Sequence, residues 1–191
     1  ALSLIDKAKY PIETILLNYY KLESSFNLGR FEETIINATN EVLPALEKYI
    51  TKKKTISGIS ISDLKNIEYE TEILLAKSYV YQGNKQALEL TANLALKAQK
   101  ENLPEYEIHA LLLQALFTTI QGNSKACNSI LTGIKEKFAE IETPEKFKLY
   151  WYFIAVISNL TNGNFQQAKE LCYSSITLAN NLSVDKTVIL S

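Results

Sequence analysis

Four glycines, each set between apolar stretches of helical character, constrain the fold of this chain more than any other feature. They are Gly29, Gly83, Gly122 and Gly163. A glycine at a helix end lets the backbone turn back, so each one predicts a corner between two helices. The last two intervals are each roughly 40 residues and the first is longer, and periods of this size indicate stacked helical units that cannot bury their apolar faces alone. The sequence therefore predicts an all-α array of helix pairs.

Apolar spacing and helix-end signals give the approximate bounds of about four antiparallel pairs. The predicted pairs span about 12–53, 63–101, 104–141 and 144–181. Pro11, Pro104 and Pro144 suit first turns, where the missing N–H costs nothing. Pro44 lies inside a helix and is expected to kink that helix or divide it in two.

The linker between the first two pairs is Lys54–Ile61, the longest stretch predicted to be non-helical. Its Ser and Gly favour a loop, although its alternating Ile residues also fit a short strand. Ser62 is the predicted N-cap of the next helix. Val184 onward predicts the start of a fifth pair and the first nine residues predict the tail of a helix. We therefore expect 1–191 to be a single domain cut from a longer solenoid.

The charge of the chain is nearly balanced, with 20 Lys and Arg against 21 Asp and Glu. These totals do not indicate a basic nucleic-acid surface or a polybasic membrane patch. The basic run Lys52–Lys54 is interpreted as the cationic end of a helix. The longest apolar stretch, Leu149–Val156, is far shorter than the roughly 18 residues of a membrane span. We expect a cytoplasmic protein without membrane insertion and without direct nucleic-acid binding.

The residues that usually carry chemistry are sparse. His109 is the one histidine and cannot build a histidine-based metal site alone. No Gly-rich phosphate loop and no Cys-x-x-Cys motif is present. Cys127 and Cys172 are interpreted as free, buried thiols on the second helices of their pairs. The sequence therefore predicts no catalytic site, no metal site and no cofactor.

The last corner resembles a tetratricopeptide repeat. In that family an aromatic residue follows the corner glycine by two positions and an alanine by five, as Phe165 and Ala168 follow Gly163. The first corner has Phe31 but lacks the alanine, and Ala87 and Ala126 come one residue early at the middle corners. Spacings near 40 are similar to the long-helix subtype, found in transcription activators of the MalT kind and in kinesin light chains. The resemblance implies a right-handed α-solenoid.

The resemblance also implies a concave groove lined by the first helix of each pair. The groove residues that it implies are Tyr19, Glu23, Asn27, Glu70, Ile73, Lys77, Tyr81, His109, Leu112, Leu116, Tyr150, Phe153 and Ile157. Tyrosines in a groove can anchor an amphipathic helix or an extended peptide. The run Trp151–Phe153 fits either core packing between pairs or ligand contact, because consecutive aromatics cannot all lie on one helix face.

Two functions follow as expectations. The first is a non-enzymatic scaffold that binds a protein or peptide in the groove. The alternative is a ligand-sensing regulatory domain that controls an attached DNA-binding or signalling module.

Overall fold

A computed structural model of the chain describes residues 11–51, 59–140 and 144–181. The helices are α1 (Pro11–Asn27), α2 (Phe31–Asn37), α3 (Leu43–Thr51), α4 (Ile61–Tyr81), α5 (Gln86–Lys100), α6 (Pro104–Ile120), α7 (Ser124–Glu140), α8 (Glu145–Thr161) and α9 (Phe165–Asn181). No strand occurs among these described residues. The prediction of an all-α, repeat-like chain is confirmed at this level. The predicted start of a fifth pair and the basic run at 52–54 lie outside the described residues.

All four predicted corner glycines have left-handed backbones, with φ angles of 71°, 65°, 72° and 74° in chain order. The hydrogen bonds are those of a Schellman motif. At Gly122 its own N–H donates to Thr119 O at 2.9 Å, and the N–H of Asn123 donates to Thr118 O at 2.9 Å. A Cβ at any of these glycines would meet no atom within 4 Å. Backbone conformation, and not space, therefore requires glycine there.

A fifth corner of the same type, which was not predicted, joins α5 to α6. Asn102 has φ 55°, and the N–H of Leu103 donates to Ala98 O at 2.9 Å. Asparagine is the residue other than glycine that visits the left-handed region most readily. The signal was therefore present in the sequence, although weaker than a glycine.

The helix that contains Pro44 is divided but not broken. Residues Ala38–Val42 form a π-helical segment between α2 and α3, and the N–H of Leu43 donates to Ala38 O five residues back. Proline has no N–H to donate and its ring crowds the preceding turn. A widened π turn relieves that crowding without ending the helix, which is the division that Pro44 predicted.

The N-cap of α4 is Ser60, so the prediction of Ser62 is wrong. Asp63 N–H donates to Ser60 Oγ at 3.1 Å, and Ser60 N–H donates to Asp63 Oδ2 at 3.0 Å. This reciprocal capping box needs an acidic residue three places after the serine. Ser60 has Asp63 at that position, whereas Ser62 has Lys65. The Ser60 hydroxyl also donates to Asp63 Oδ2, at 2.7 Å, and this bond, followed by the one from the Ser60 N–H, lowers the pKa of the Asp63 carboxyl. Residues 54–58 of the predicted loop lie outside the described residues.

Contacts between Cα atoms group the chain into two compact units, residues 1–86 and 87–191. In the first unit, α1 packs against α2 and α4, and α3 packs against α4. Its largest fully buried aliphatic side chains include Leu22, Val42, Leu46 and Leu64. The boundary falls at the start of α5, inside the second predicted pair.

In the second unit, α6 packs against both α7 and α8, α7 packs against α8, and α8 packs against α9. Ile108, Leu113, Ile134 and Ile154 are fully buried. Ala115, seven residues before the corner glycine, is also fully buried, as a small residue between closely packed helices should be.

Replacing a corner glycine should destabilise the protein, whereas the same change inside a helix should stabilise it. Gly122→Ala forces a left-handed backbone on alanine and should lower the free energy of unfolding by about 1 kcal/mol. Gly133 lies inside α7, and a Cβ there would meet no atom within 4 Å. Gly133→Ala should therefore raise the free energy of unfolding by about 0.5–1 kcal/mol. Urea denaturation measures both. Gly122→Asn should cost less than Gly122→Ala; an equal or larger cost would contradict a φ-based requirement.

Candidate partner-binding surface

The predicted groove residues lie on α1 and α4 in the first unit and on α6 and α8 in the second. The structure brings them together in smaller groups within each unit.

In the first unit, α1 and α4 place two carboxylates near the Tyr19 phenol. The ring of Tyr19 is half-buried, and its burial raises the pKa of the phenol to about 12, with further contributions from Glu23, Glu70 and Tyr20. A phenol close to carboxylates holds its proton because a phenolate would be repelled. Both glutamates are exposed.

Tyr81 ends α4 and belongs to a cluster of three aromatic rings. Its centroid lies 6.0 Å from that of Phe26 in a stacked arrangement and 5.4 Å from that of Phe31. The Phe26 and Phe31 centroids are 5.6 Å apart. These two phenylalanines flank Gly29 and were not predicted as surface residues. Phe31 could have been found, because it is the aromatic of the repeat pattern.

The other groove residues of the first unit are less informative. Asn27 is exposed at the end of α1, and Lys77 is half-buried on α4. Ile73 is fully buried. It therefore belongs to the core and not to an accessible groove.

In the second unit, His109 of α6 lies against Phe147 of α8, with ring centroids 5.4 Å apart. His109 is half-buried, and Lys146 Nζ lies 5.0 Å above the Phe147 ring. Leu112 and Leu116 are buried and do not line an accessible groove. The reason is that α6 packs against helices on more than one side, so most of its surface is interior.

The aromatic run of α8 divides between the two interpretations that the sequence left open. Trp151 Nε1 donates to Leu131 O of α7 at 2.8 Å, and the Tyr152 ring meets Trp151 edge-on at 5.2 Å. Phe153 is 51% exposed and stacks on the half-buried Tyr150, with centroids 6.2 Å apart. Trp151 therefore packs against α7, whereas Phe153 remains exposed. Ile157, one turn further on, is half-buried.

A cleft of about 370 Å³, which was not predicted, lies at the corner between α5 and α6. Lys137 and Glu107 form a salt bridge in it, with 2.9 Å between Nζ and Oε1. The cleft is lined by Gln99, Asn102, Leu103, Pro104, Glu107, Ile108 and Lys137. It combines an ion pair with apolar walls.

The cysteines differ in accessibility. Cys127 is fully buried, with the Thr119 hydroxyl 3.0 Å from its Sγ, as predicted for a small residue in close helix packing. Cys172 is only half-buried, so the prediction of a buried thiol is wrong for it. Both thiols are free.

Within residues 11–51, 59–140 and 144–181, no group of three or more His, Cys, Asp or Glu side chains could hold a metal ion. None of the helices in those ranges is both long enough and apolar enough to cross a membrane.

Alkaline pH should weaken the protein through Tyr19. The folded-state pKa of about 12 exceeds the ordinary value of 10.0, so the stabilisation from this phenol is complete below pH 10. It is lost as the pH rises from 10 towards 12. The free energy of unfolding, measured by urea denaturation, should fall more steeply over this range in the wild type than in Tyr19→Phe. Parallel curves for wild type and Tyr19→Phe would contradict the assignment.

Comparison of the chain with models of known protein families, with curated proteins and with solved structures finds no match. The tetratricopeptide resemblance therefore stays a prediction.

Proposed function

We propose that this chain is a non-enzymatic protein-interaction domain that binds a peptide or a partner helix. The observation that carries the proposal is Phe153, a large aromatic side chain that is half-exposed and stacked on Tyr150. Aromatic residues that remain exposed yet are held in place are typical anchors of protein interfaces.

The architecture in this proposal is an α-solenoid of about four antiparallel pairs, similar to tetratricopeptide arrays. It is supported by α6 and α8, the first helices of consecutive pairs, which pack directly against each other. It is also supported by the recurrence of one corner geometry at four glycines. Side-by-side first helices present their outer residues on a common face, which is the surface that such an array offers to a partner.

The partner that suits Phe153 is a segment with an apolar side chain, in an amphipathic helix or an extended strand. Stacking on Tyr150 restricts the Phe153 ring before binding, so less side-chain entropy is lost when a partner covers it. Covering the exposed half of the ring removes about 100 Å² of apolar surface from water, which corresponds to about 2 kcal/mol or roughly 30-fold in Kd.

Affinity capture with matched variants tests the proposal. Phe165 is the control because it is also a phenylalanine and is 68% exposed, but it lies on α9, the second helix of its pair. Proteins captured by the wild type and by Phe165→Ala should be lost or weakened roughly 30-fold with Phe153→Ala. The isolated partner then gives Kd values for the three chains, and circular dichroism confirms that the helices are intact. Retention of every partner by Phe153→Ala would refute the groove on α8.

The same capture with Tyr19→Ala, Tyr81→Ala and Tyr150→Ala extends the test to the predicted tyrosine anchors. If partners survive all three replacements with the helices intact, the interaction surface does not use the first helices.

A ligand-sensing role is the second candidate, and the cleft between α5 and α6 favours it. Its paired charges, Glu107 and Lys137, complement a small zwitterion such as a free amino acid. Isothermal titration with a panel of amino acids tests this, with Lys137→Ala as the variant that should remove binding. No heat of binding across the panel would reject the idea. The aromatic surface remains the stronger candidate because the two charges in the cleft already satisfy each other.

A further inference from the structure

The side chains on the open side of α8 follow a heptad pattern. Phe153 and Leu160, seven residues apart, are 51% and 47% exposed. Lys146, seven residues before Phe153, is exposed, and Leu149 and Val156 in the two gaps are half-buried. These five residues recur at intervals of three and four, which places them in one line along the helix. We call this line the α8 seam.

The neighbouring helices pack on other sides of α8 and hold the α8 seam in place. The helix packs against α6, α7 and α9. Phe147 lies against the His109 ring of α6, and the Trp151 indole is hydrogen-bonded to α7. On a regular helix Phe147 and Trp151 lie about 120° and 160° around the axis from Phe153. The α8 seam is therefore open and fixed in orientation.

The spacing of the α8 seam selects a helix, and not an extended strand, as its occupant. The five seam residues span about 21 Å, so neighbouring ones are about 5 Å apart along the axis. Side chains on one face of a strand are about 6.7 Å apart, so they drift out of register by about 6 Å over the length of the seam. A helix with its own three-and-four spacing stays in register, because each side chain enters a gap between residues of the facing helix.

The charge of the α8 seam indicates what this helix carries. Lys146 is the one charged residue of the five, and Leu149–Thr161 contains no Asp, Glu, Lys or Arg. An apolar group over the Lys146 ammonium would remove water without replacing its hydrogen bonds, whereas a carboxylate would pair with it. A second copy of α8 offers no carboxylate: packed antiparallel about Phe153 it sets Leu160 opposite Lys146, and packed parallel it sets the two lysines side by side.

We infer that the α8 seam binds an amphipathic helix of another protein, with apolar residues at heptad spacing and an acidic residue at the end that meets Lys146. The inference rests on the proposed function, because it uses the same exposed Phe153 ring and specifies the secondary structure and charge of the partner.

Selection from a phage-displayed library of random peptides tests the inference. Peptides of about 20 residues are long enough, because about 15 residues of helix cover the α8 seam. Those that bind the wild type but not Phe153→Ala are sequenced. They should carry apolar residues at intervals of three and four, with Asp or Glu near one end. A selected peptide, made synthetically, should gain helical circular dichroism on binding, and proline at its centre should abolish binding.

Charge reversal with a matched control tests the role of Lys146. Lys146→Glu should weaken binding of the selected peptide about threefold to tenfold, and lysine in place of the peptide's acidic residue should restore it. Lys169→Glu is the control. Lys169 is also an exposed lysine above an aromatic ring, with Nζ 5.9 Å from the Tyr173 centroid, but it lies on α9. This variant should keep the wild-type affinity.

Three results would overturn the inference. The first is a set of Phe153-dependent peptides with a two-residue alternation or with no loss of affinity for Lys146→Glu, which would leave the proposed function standing. The second is failure to enrich any Phe153-dependent peptide, while the capture experiment decides the proposed function separately. The third is a concentration-dependent dimer, seen by sedimentation equilibrium and abolished by Phe153→Ala, which would assign the α8 seam to a second copy of the chain.

Discussion

The left-handed corner that ends a first helix is the constraint on which the rest of the structure depends. At each of the four glycines two backbone N–H groups close back onto the last turn, so carbonyls that would lose their partners at the helix end are satisfied locally. The chain then re-enters a helix within a few residues. At Gly83 and Gly122 the following asparagine accepts a hydrogen bond from the first turn of the new helix, from Gln86 and Ala126 respectively. One short segment thus ends a helix and starts the next.

Within the second unit the antiparallel helices α6 and α7 pack against each other, and that contact selects small residues. Ala115, seven residues before Gly122, is fully buried. Cys127, five residues after Gly122, is buried in the same way. The polar groups in these contacts are satisfied within their own helices, as where Thr119 donates back to Ala115 O at 2.9 Å. Close packing and corner geometry therefore support each other.

The sequence predicted the helices and their corners well because glycine at a helix end has almost one structural meaning. It predicted less where a weaker signal had to compete. Asn102 makes the same corner as a glycine but is common in many other contexts, and Ser60 and Ser62 have the same intrinsic preference for the N-cap. The distinction between them lies in Asp63, which completes a capping box only with Ser60. Pro44 correctly indicated a divided helix, although a π turn in place of a break could not be read from proline alone.

The surface was harder to predict than the helices, because helical periodicity tells which residues share a face but not how much of it neighbouring helices cover. Leu112 and Phe153 were both assigned to the groove, yet one is fully buried and the other half-exposed. The exposure of Phe153 follows from Trp151 on the same helix. The Trp151 indole donates to a carbonyl of α7 and so fixes the rotation of α8 about its axis. With Trp151 directed at α7, Phe153 two residues later must lie on a different side of the helix. An interior hydrogen bond thus decides which aromatic side chain of α8 is exposed, and that exposure depends on the packing of the helix that carries it.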